Sequence, residues 1–178
     1  SSSAAVEVAF AVAWQALGGW EADRMKIAQL CQRAENIYVG VASGLMDQFA
    51  SAHGVAGKAL YFDTRSLEWH PVPLPPGTAL IIADSRVPRS LTASAYNQRR
   101  AACEQAVEIL RKYKPDMRSL RDITPIELAA YQEFLPEEIG KRAEHVVKEI
   151  ARVHSAVRAL ELEETRSFGA LMYAGHAS

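Results

Sequence analysis

Ser1-Ser2-Ser3-Ala4-Ala5-Val6-Glu7-Val8-Ala9 opens the chain. From Ala4 to Leu17 only Glu7 and Gln15 are polar, which predicts a helix buried nearly all round. Gly18-Gly19 stops it. A buried helix led by three hydroxyls aims free backbone N–H groups and the positive end of its dipole out of the core. That arrangement suits a phosphate anion. Simple serine capping is the competing reading.

Outward from this helix the order of elements follows from spacing. A second helix is predicted from about Glu21 to Tyr38, with Ile27, Cys31, Ala34 and Tyr38 on one face. A loop of small residues, Val39 to Ser43, leads into a short amphipathic helix from Gly44 to Ala52. Ala59-Leu60-Tyr61-Phe62-Asp63 and Leu67-Glu68-Trp69-His70-Pro71-Val72 form a hairpin pattern around Thr64-Arg65-Ser66. Ala79-Leu80-Ile81-Ile82-Ala83 reads as a fully buried strand.

Pro71, Pro73, Pro75 and Pro76 with Gly77 suggest a domain boundary, giving domains 1–76 and 77–178. Beyond it a helix is expected over Leu91 to Lys114, stopped by Pro115, and another from Thr124, whose Thr-Pro-Ile-Glu is a capping box. A long helix carries Ile139, Ala143, Val146, Val147, Ile150, Val153, Val157 and Leu160, and a last one starts near Arg166. The run Glu161 to Glu164 reads as a solvated turn between them. The class is α+β, in two lobes.

The 178 residues are 49% hydrophobic and 23% charged, with a formal net charge of -1, ordinary for a soluble globular protein. Nothing points to a nucleic-acid partner. The first helix is too short to span a membrane and carries Glu7. It lacks the charged leader of a signal peptide. Cys31 and Cys103 lack any C-x-x-C or His spacing and read as reduced core thiols of a cytoplasmic protein, without a zinc site. With no initiating Met and no helix stop after Gly175-His176-Ala177, the chain reads as a piece of a longer protein.

Two carboxylates stand out. Asp47 sits between Met46 and Phe49 near a helix start, and Glu35 lies at the edge of an apolar stripe. Each has a bland alternative: Asp47 exposed on an outer face, Glu35 paired with a Lys or Arg. A serine-led helix start, two carboxylates and a loop of small residues supply the parts of a phosphoryl-transfer site. His145, His154 and the three tryptophans (Trp14, Trp20, Trp69) read as packing or surface residues, and Arg99 and Arg100 as surface ion-pair partners.

The opening stretch resembles the end of the G-L-S-S-S-A-x-x-E-V motif of GHMP kinases. Ala34-Glu35-Asn36-x-x-x-Gly40 followed by Gly44-Leu45-Met46-Asp47-Gln48-Phe49 is similar to the galactokinase version of that family. So are 84–91 (Asp-Ser-Arg-Val-Pro-Arg-Ser-Leu), Ser94-Ala95-Tyr96-Asn97-Gln98-Arg99-Arg100, Leu120-Arg121-Asp122-Ile123 and Arg142-Ala143-Glu144-His145-Val146-Val147. The resemblance runs through the whole chain. It implies a two-lobed fold with ATP and galactose in the cleft, and Mg²⁺ held by Ser3 and Glu35. It further implies ATP phosphates at Ser1, Ser2 and Ser3, Asp47 as the catalytic carboxylate on the sugar C1 hydroxyl, and Gly44 and Tyr96 as further sugar contacts.

Galactokinases usually read Pro-Cys-Gly where this chain has Ala42-Ser43-Gly44; Ser43 is expected to cap the following helix. The family's N-terminal galactose signature, its catalytic Arg, the glycines before Ser1 and the C-terminal glycine-rich motif fall outside residues 1–178. The piece alone is therefore expected to be inactive. Rival readings are a related anomeric sugar kinase acting on N-acetylgalactosamine, arabinose or a uronic acid, and a non-catalytic paralogue that senses sugar and ATP. The oligomeric state stays open, with a full-length monomer as one reading.

Overall fold

A computed structural model describes residues 2–84, 86 and 92–178. The chain divides into two compact units, Ser1–Leu74 and Pro75–Ser178.

In the first unit, α1 (Ser2–Gly18) packs on α2 (Arg24–Ala34) and α3 (Met46–His53). Only one stripe of α1 is covered, through Ala4 and Val8, while Phe10, Trp14 and Leu17 are exposed. This corrects the expectation of a helix buried all round. The remaining β structure in this unit is one hairpin, too small to wrap a helix on every side.

Asp23 caps α2 by accepting the Lys26 N–H at 2.9 Å, and Ile27, Ala28 and Cys31 are buried. The helix then widens into a π-helical turn, Glu35–Val39, closed by Gly40 at φ 76°. A side chain is disfavoured in that left-handed conformation. The predicted face extended to Ala34 and Tyr38, yet both are exposed. Ala34 lies at the solvent edge of the last regular turn, and the wider turn carries Tyr38 off the 3.6-residue period.

Strands β1 (Lys58–Phe62) and β2 (Trp69–Pro73) pair antiparallel, from Lys58 opposite Pro73 to Phe62 opposite Trp69. They match the expected hairpin with small shifts at the ends. Asp63 shapes the turn, its Oδ1 accepting the N–H groups of Arg65 (2.7 Å) and Ser66 (3.1 Å). Phe49 of α3 docks the hairpin: its ring stacks on Phe62 at 3.8 Å and on His53 at 4.4 Å, with Trp69 edge-on at 5.7 Å. Burying such an aromatic contributes about 1.5–3 kcal/mol. Trp69 is thus a packing residue, whereas Trp14 is mostly exposed beside Phe10.

The second unit begins with a correction. Residues 79–83 form no strand, and Leu80, Ile81 and Ile82 are almost bare, Ile82 at 96% exposure. A strand needs a partner for its N–H and C=O groups, and none of the described residues supplies one. The expected helix start at Leu91 lies outside the described residues; the helix itself is α4 (Thr92–Leu110). It packs on α6 (Glu137–Glu161), which also meets α5 (Pro125–Tyr131) and α7 (Thr165–Ala177). Ala106, Leu110, Met117, Leu120, Leu128, Ala143 and Val147 fill the core between them.

The capping box predicted at Thr124 is present, and Pro125 opens α5. Glu127 Oε2 accepts the Thr124 N–H (2.8 Å) and hydroxyl (2.9 Å), while Oε1 accepts Lys114 Nζ at 2.6 Å. The Lys114 contact first, then the Thr124 groups, lower the Glu127 carboxyl to about 2. Glu161 to Glu164 is the exposed turn expected, and Arg100 pairs with Glu104 at 2.9 Å. His145 and His154 are solvent-facing. Both thiols are free; Cys31 is buried and Cys103 half-buried, and burial raises the pKa of each.

Candidate active site

The first unit brings together three segments far apart in sequence. The first turn of α1 supplies Ser3, the π-helical turn supplies Glu35, and the loop and helix that follow supply Ser43 and Gln48. Glu35 is the hub. Its Oε1 accepts the Ser3 hydroxyl at 3.0 Å. Its Oε2 accepts the Ser43 hydroxyl at 2.9 Å and the Gln48 amide Nε2 at 3.0 Å. Among the described residues Glu35 meets neither Lys nor Arg, so its bland alternative, an ordinary ion pair, is not what forms.

The π-helical turn explains why Glu35 points into this cluster. An extra residue within one turn re-aims the side chains at its start, and such turns recur at functional sites.

Ser43 corrects a further expectation. It does not cap α3, whose first turn follows Leu45 without a side-chain cap. Its hydroxyl is engaged by Glu35 and by Asn36 Oδ1 at 3.0 Å, and its carbonyl accepts Gln32 Nε2 at 3.0 Å.

Sequence reading assigns no role to Glu7 or Gln48. Gln48 is fully buried, and its Nε2 donates to Glu7 Oε2 at 3.2 Å as well as to Glu35. The signal was available. Glu7 is the single acid in an apolar helix, and Gln48 lies beside the core residue Phe49. The Glu7 charge also contributes, after burial, to raising the pKa of the neighbouring Cys31 thiol.

Asp47 is the second residue of α3, half-buried and adjacent in sequence to Gln48. At that position the helix dipole favours an anion. Gly44 is exposed in the preceding loop, with open space where a Cβ would stand. Ser2 is the exposed first residue of α1, and Ser1 lies outside the described residues. Tyr96 belongs to the second unit, near the start of α4, with its ring partly exposed. Of the 84–91 motif, only Asp84 and Arg86 are described.

Mg²⁺ fits the donor set. It takes hard oxygen ligands at about 2.0–2.1 Å in an octahedron, so neighbouring ligand oxygens stand about 3 Å apart. Ser3 Oγ and Glu35 Oε1 are 3.0 Å apart on the exposed side of the cluster. Among the described residues no group of three or more His, Cys, Asp and Glu gathers to hold a metal. A single carboxylate is compatible with a magnesium ion that keeps several waters and leans on phosphate.

Known proteins resemble this chain over its whole length. Residues 1–55 match the GHMP kinases N terminal domain. The whole chain is 46% identical to a galactokinase of Roseiflexus sp. (strain RS-1) and 42% identical to one of Halalkalibacterium halodurans, covering 46% of each. It thus spans about half the length of the curated relatives it matches. The crystal structure of Lactococcus lactis galactokinase complexed with galactose superposes with a TM-score of 0.88 at 33% identity, over 99% of this chain and 46% of that one. The fold is the same. The chain is thus similar to galactokinases along its whole length, and its residues 1–55 to the N-terminal domain of GHMP kinases.

Proposed function

We propose that the protein to which this chain belongs is a galactokinase, transferring the γ-phosphoryl group of ATP to the C1 hydroxyl of galactose. The single observation that carries the reading is the pairing of Ser3 with Glu35 at 3.0 Å at the mouth of α1. It brings a metal-binding oxygen pair to the positive end of a helix, where phosphates bind.

In this reading the first turn of α1, with Ser1 and Ser2, receives the ATP phosphates through its backbone N–H groups. Ser3 and Glu35 would hold Mg²⁺, which when bound supplies charge neutralisation on the phosphates. Asp47 orients the C1 hydroxyl and takes its proton as the new O–P bond forms and the bond from the γ-phosphorus to ADP breaks. Gly44 and Tyr96 contact the sugar. Positioning and electrostatic stabilisation dominate such a transfer.

The test is a substrate panel on the full-length protein. ADP release should depend on galactose, and N-acetylgalactosamine, arabinose and galacturonate should be poor acceptors. A preference of tenfold or more for one of these sugars in kcat/KM would reassign the substrate. Sugar and ATP binding without turnover would mark a sensor instead.

A further inference from the structure

Gln48 is the most deeply buried polar side chain of the first unit, at 0% exposure. Its amide nitrogen has two protons and spends them on two carboxylates, Glu7 of α1 at 3.2 Å and Glu35 of the π-helical turn at 3.0 Å. Two acceptors of like charge fix the orientation of this amide, because only its NH₂ end can face both. The other end is left over: Oε1 is buried with no hydrogen-bond partner.

An orphaned buried acceptor lowers stability. A Leu or Met would fill the same volume without that cost. What an apolar residue cannot do is hold two anions at a fixed place. The pattern on Glu35 shows the consequence. Its Oε2 is taken by two inner donors, Ser43 and Gln48, so Oε1 is the oxygen turned to Ser3 at the open side.

We propose that Gln48 is a positioning residue that pins the Glu35 carboxylate in its metal-facing rotamer and ties it, through Glu7, to the helix that carries Ser3. The inference rests on the proposed role of Glu35 as a magnesium ligand. Outer partners of this kind orient the ligating oxygen, and their loss typically costs 10–100-fold in metal affinity. Gln48 is also the residue after Asp47, on the same helical turn. The side chain that fixes the metal arm therefore shares a rigid element with the arm that would meet the sugar. Ser43, in the loop before α3, holds the same oxygen.

The experiment measures ATP binding to full-length protein against Mg²⁺ concentration, without sugar and hence without turnover, for wild type, Gln48→Met, Glu35→Gln and the double variant. Gln48→Met should raise the Mg²⁺ needed for half-maximal ATP binding about tenfold or more, with galactose affinity changed less than twofold. In the Glu35→Gln background the same substitution should add less than about twofold, because its effect passes through Glu35. Equal shifts in both backgrounds, or no shift in Gln48→Met, would overturn the proposal while leaving the kinase reading intact. An unchanged Mg²⁺ dependence in Glu35→Gln would overturn the metal role of Glu35 and this inference with it. Should Gln48→Met fail to fold, Gln48→Asn retains the amide but shortens its reach, and should shift the Mg²⁺ dependence in the same direction; no shift there overturns the proposal.

Discussion

Ser3 donates its hydroxyl to Glu35 Oε1 across 3.0 Å, joining the first turn of α1 to the π-helical turn that ends the second helix. Neither partner is compelled to this by local structure. Ser3 sits where a helix needs caps, and Glu35 sits where a regular helix would have carried its side chain round with the 3.6-residue period. The contact exists because α1 and α2 pack through Val8, Ile27 and Cys31. That apolar seam sets the distance between the two polar ends. The polar contact rests on core packing about one turn away.

Glu35→Gln in the full-length protein should weaken ATP binding in proportion to its dependence on Mg²⁺. The amide keeps the size and can still meet Ser43, but it removes the negative charge that accepts the Ser3 hydroxyl. Calorimetric titration of ATP at several Mg²⁺ concentrations should show at least about a tenfold rise in the metal requirement. Galactose binding, measured alone, should stay within about twofold of wild type.

Asp47→Asn should remove most turnover and leave nucleotide binding in place. A positioned proton acceptor accounts for about 100-fold or more of rate in comparable reactions. The loss should appear in kcat, with the ATP dissociation constant unchanged, because the substitution leaves Ser3 and Glu35 in place. Turnover within about tenfold of wild type would make Asp47 a bystander.

How much of this was legible in the sequence depends on the range of the interaction. Local signals held: the capping box at Thr124 with Pro125, the Gly18-Gly19 stop, and the Phe62 to Trp69 hairpin were all read from neighbouring residues, and all are present. The motif residues Ser3 and Glu35 stand out in the sequence, and the fold brings them together. What escaped was the interior of the cluster. Gln48 and Glu7 are separated by 41 positions and Gln48 and Glu35 by 13. No periodicity announces which buried amide will meet which acid. A serine before a helix reads as a cap; for Ser43 the competing partner, Glu35, lies back in the preceding turn. The π-helical turn was equally hidden, since a single extra residue in a turn leaves no compositional trace.

The Lys114–Glu127 contact makes a pH-dependent contribution to the second unit. Glu127 titrates at about 2 instead of its ordinary 4.5. The folded state thus favours the charged carboxylate. That stability is fully present above about 4.5 and is lost progressively as the pH falls through about 2. Lys114→Met should therefore lower the urea midpoint near neutral pH, and its deficit relative to wild type should shrink as the pH is lowered toward 2. In a Glu127→Gln background the Lys114→Met effect should be flat with pH. A deficit that persists unchanged to pH 2 would place its origin in lost packing rather than in the ion pair.

Residues 79–83 pose the sharpest conflict between pattern and structure. Ala79-Leu80-Ile81-Ile82-Ala83 has the composition of a strand covered on both faces. Yet among the described residues nothing hydrogen-bonds its backbone, and Ile81 and Ile82 are 91% and 96% exposed. A bare run of this kind is both a loose backbone and a sticky surface. Amide hydrogen exchange separates the two properties. In the 178-residue chain by itself these amides should exchange at close to the rate of an unstructured peptide. In a full-length relative the same five amides should be slowed by at least about a hundredfold if the strand pattern is fulfilled by a neighbour supplied from the rest of the protein. Ile82→Lys sharpens the test. In the 178-residue chain it should leave the thermal midpoint unchanged and reduce binding of a hydrophobic dye, because the side chain it replaces touches almost nothing. In the full-length protein the same substitution should be severely destabilising, because a charge would then be buried without a partner. Protection of these amides in the short chain, or a large loss of its stability on Ile82→Lys, would show that the segment already has a partner there.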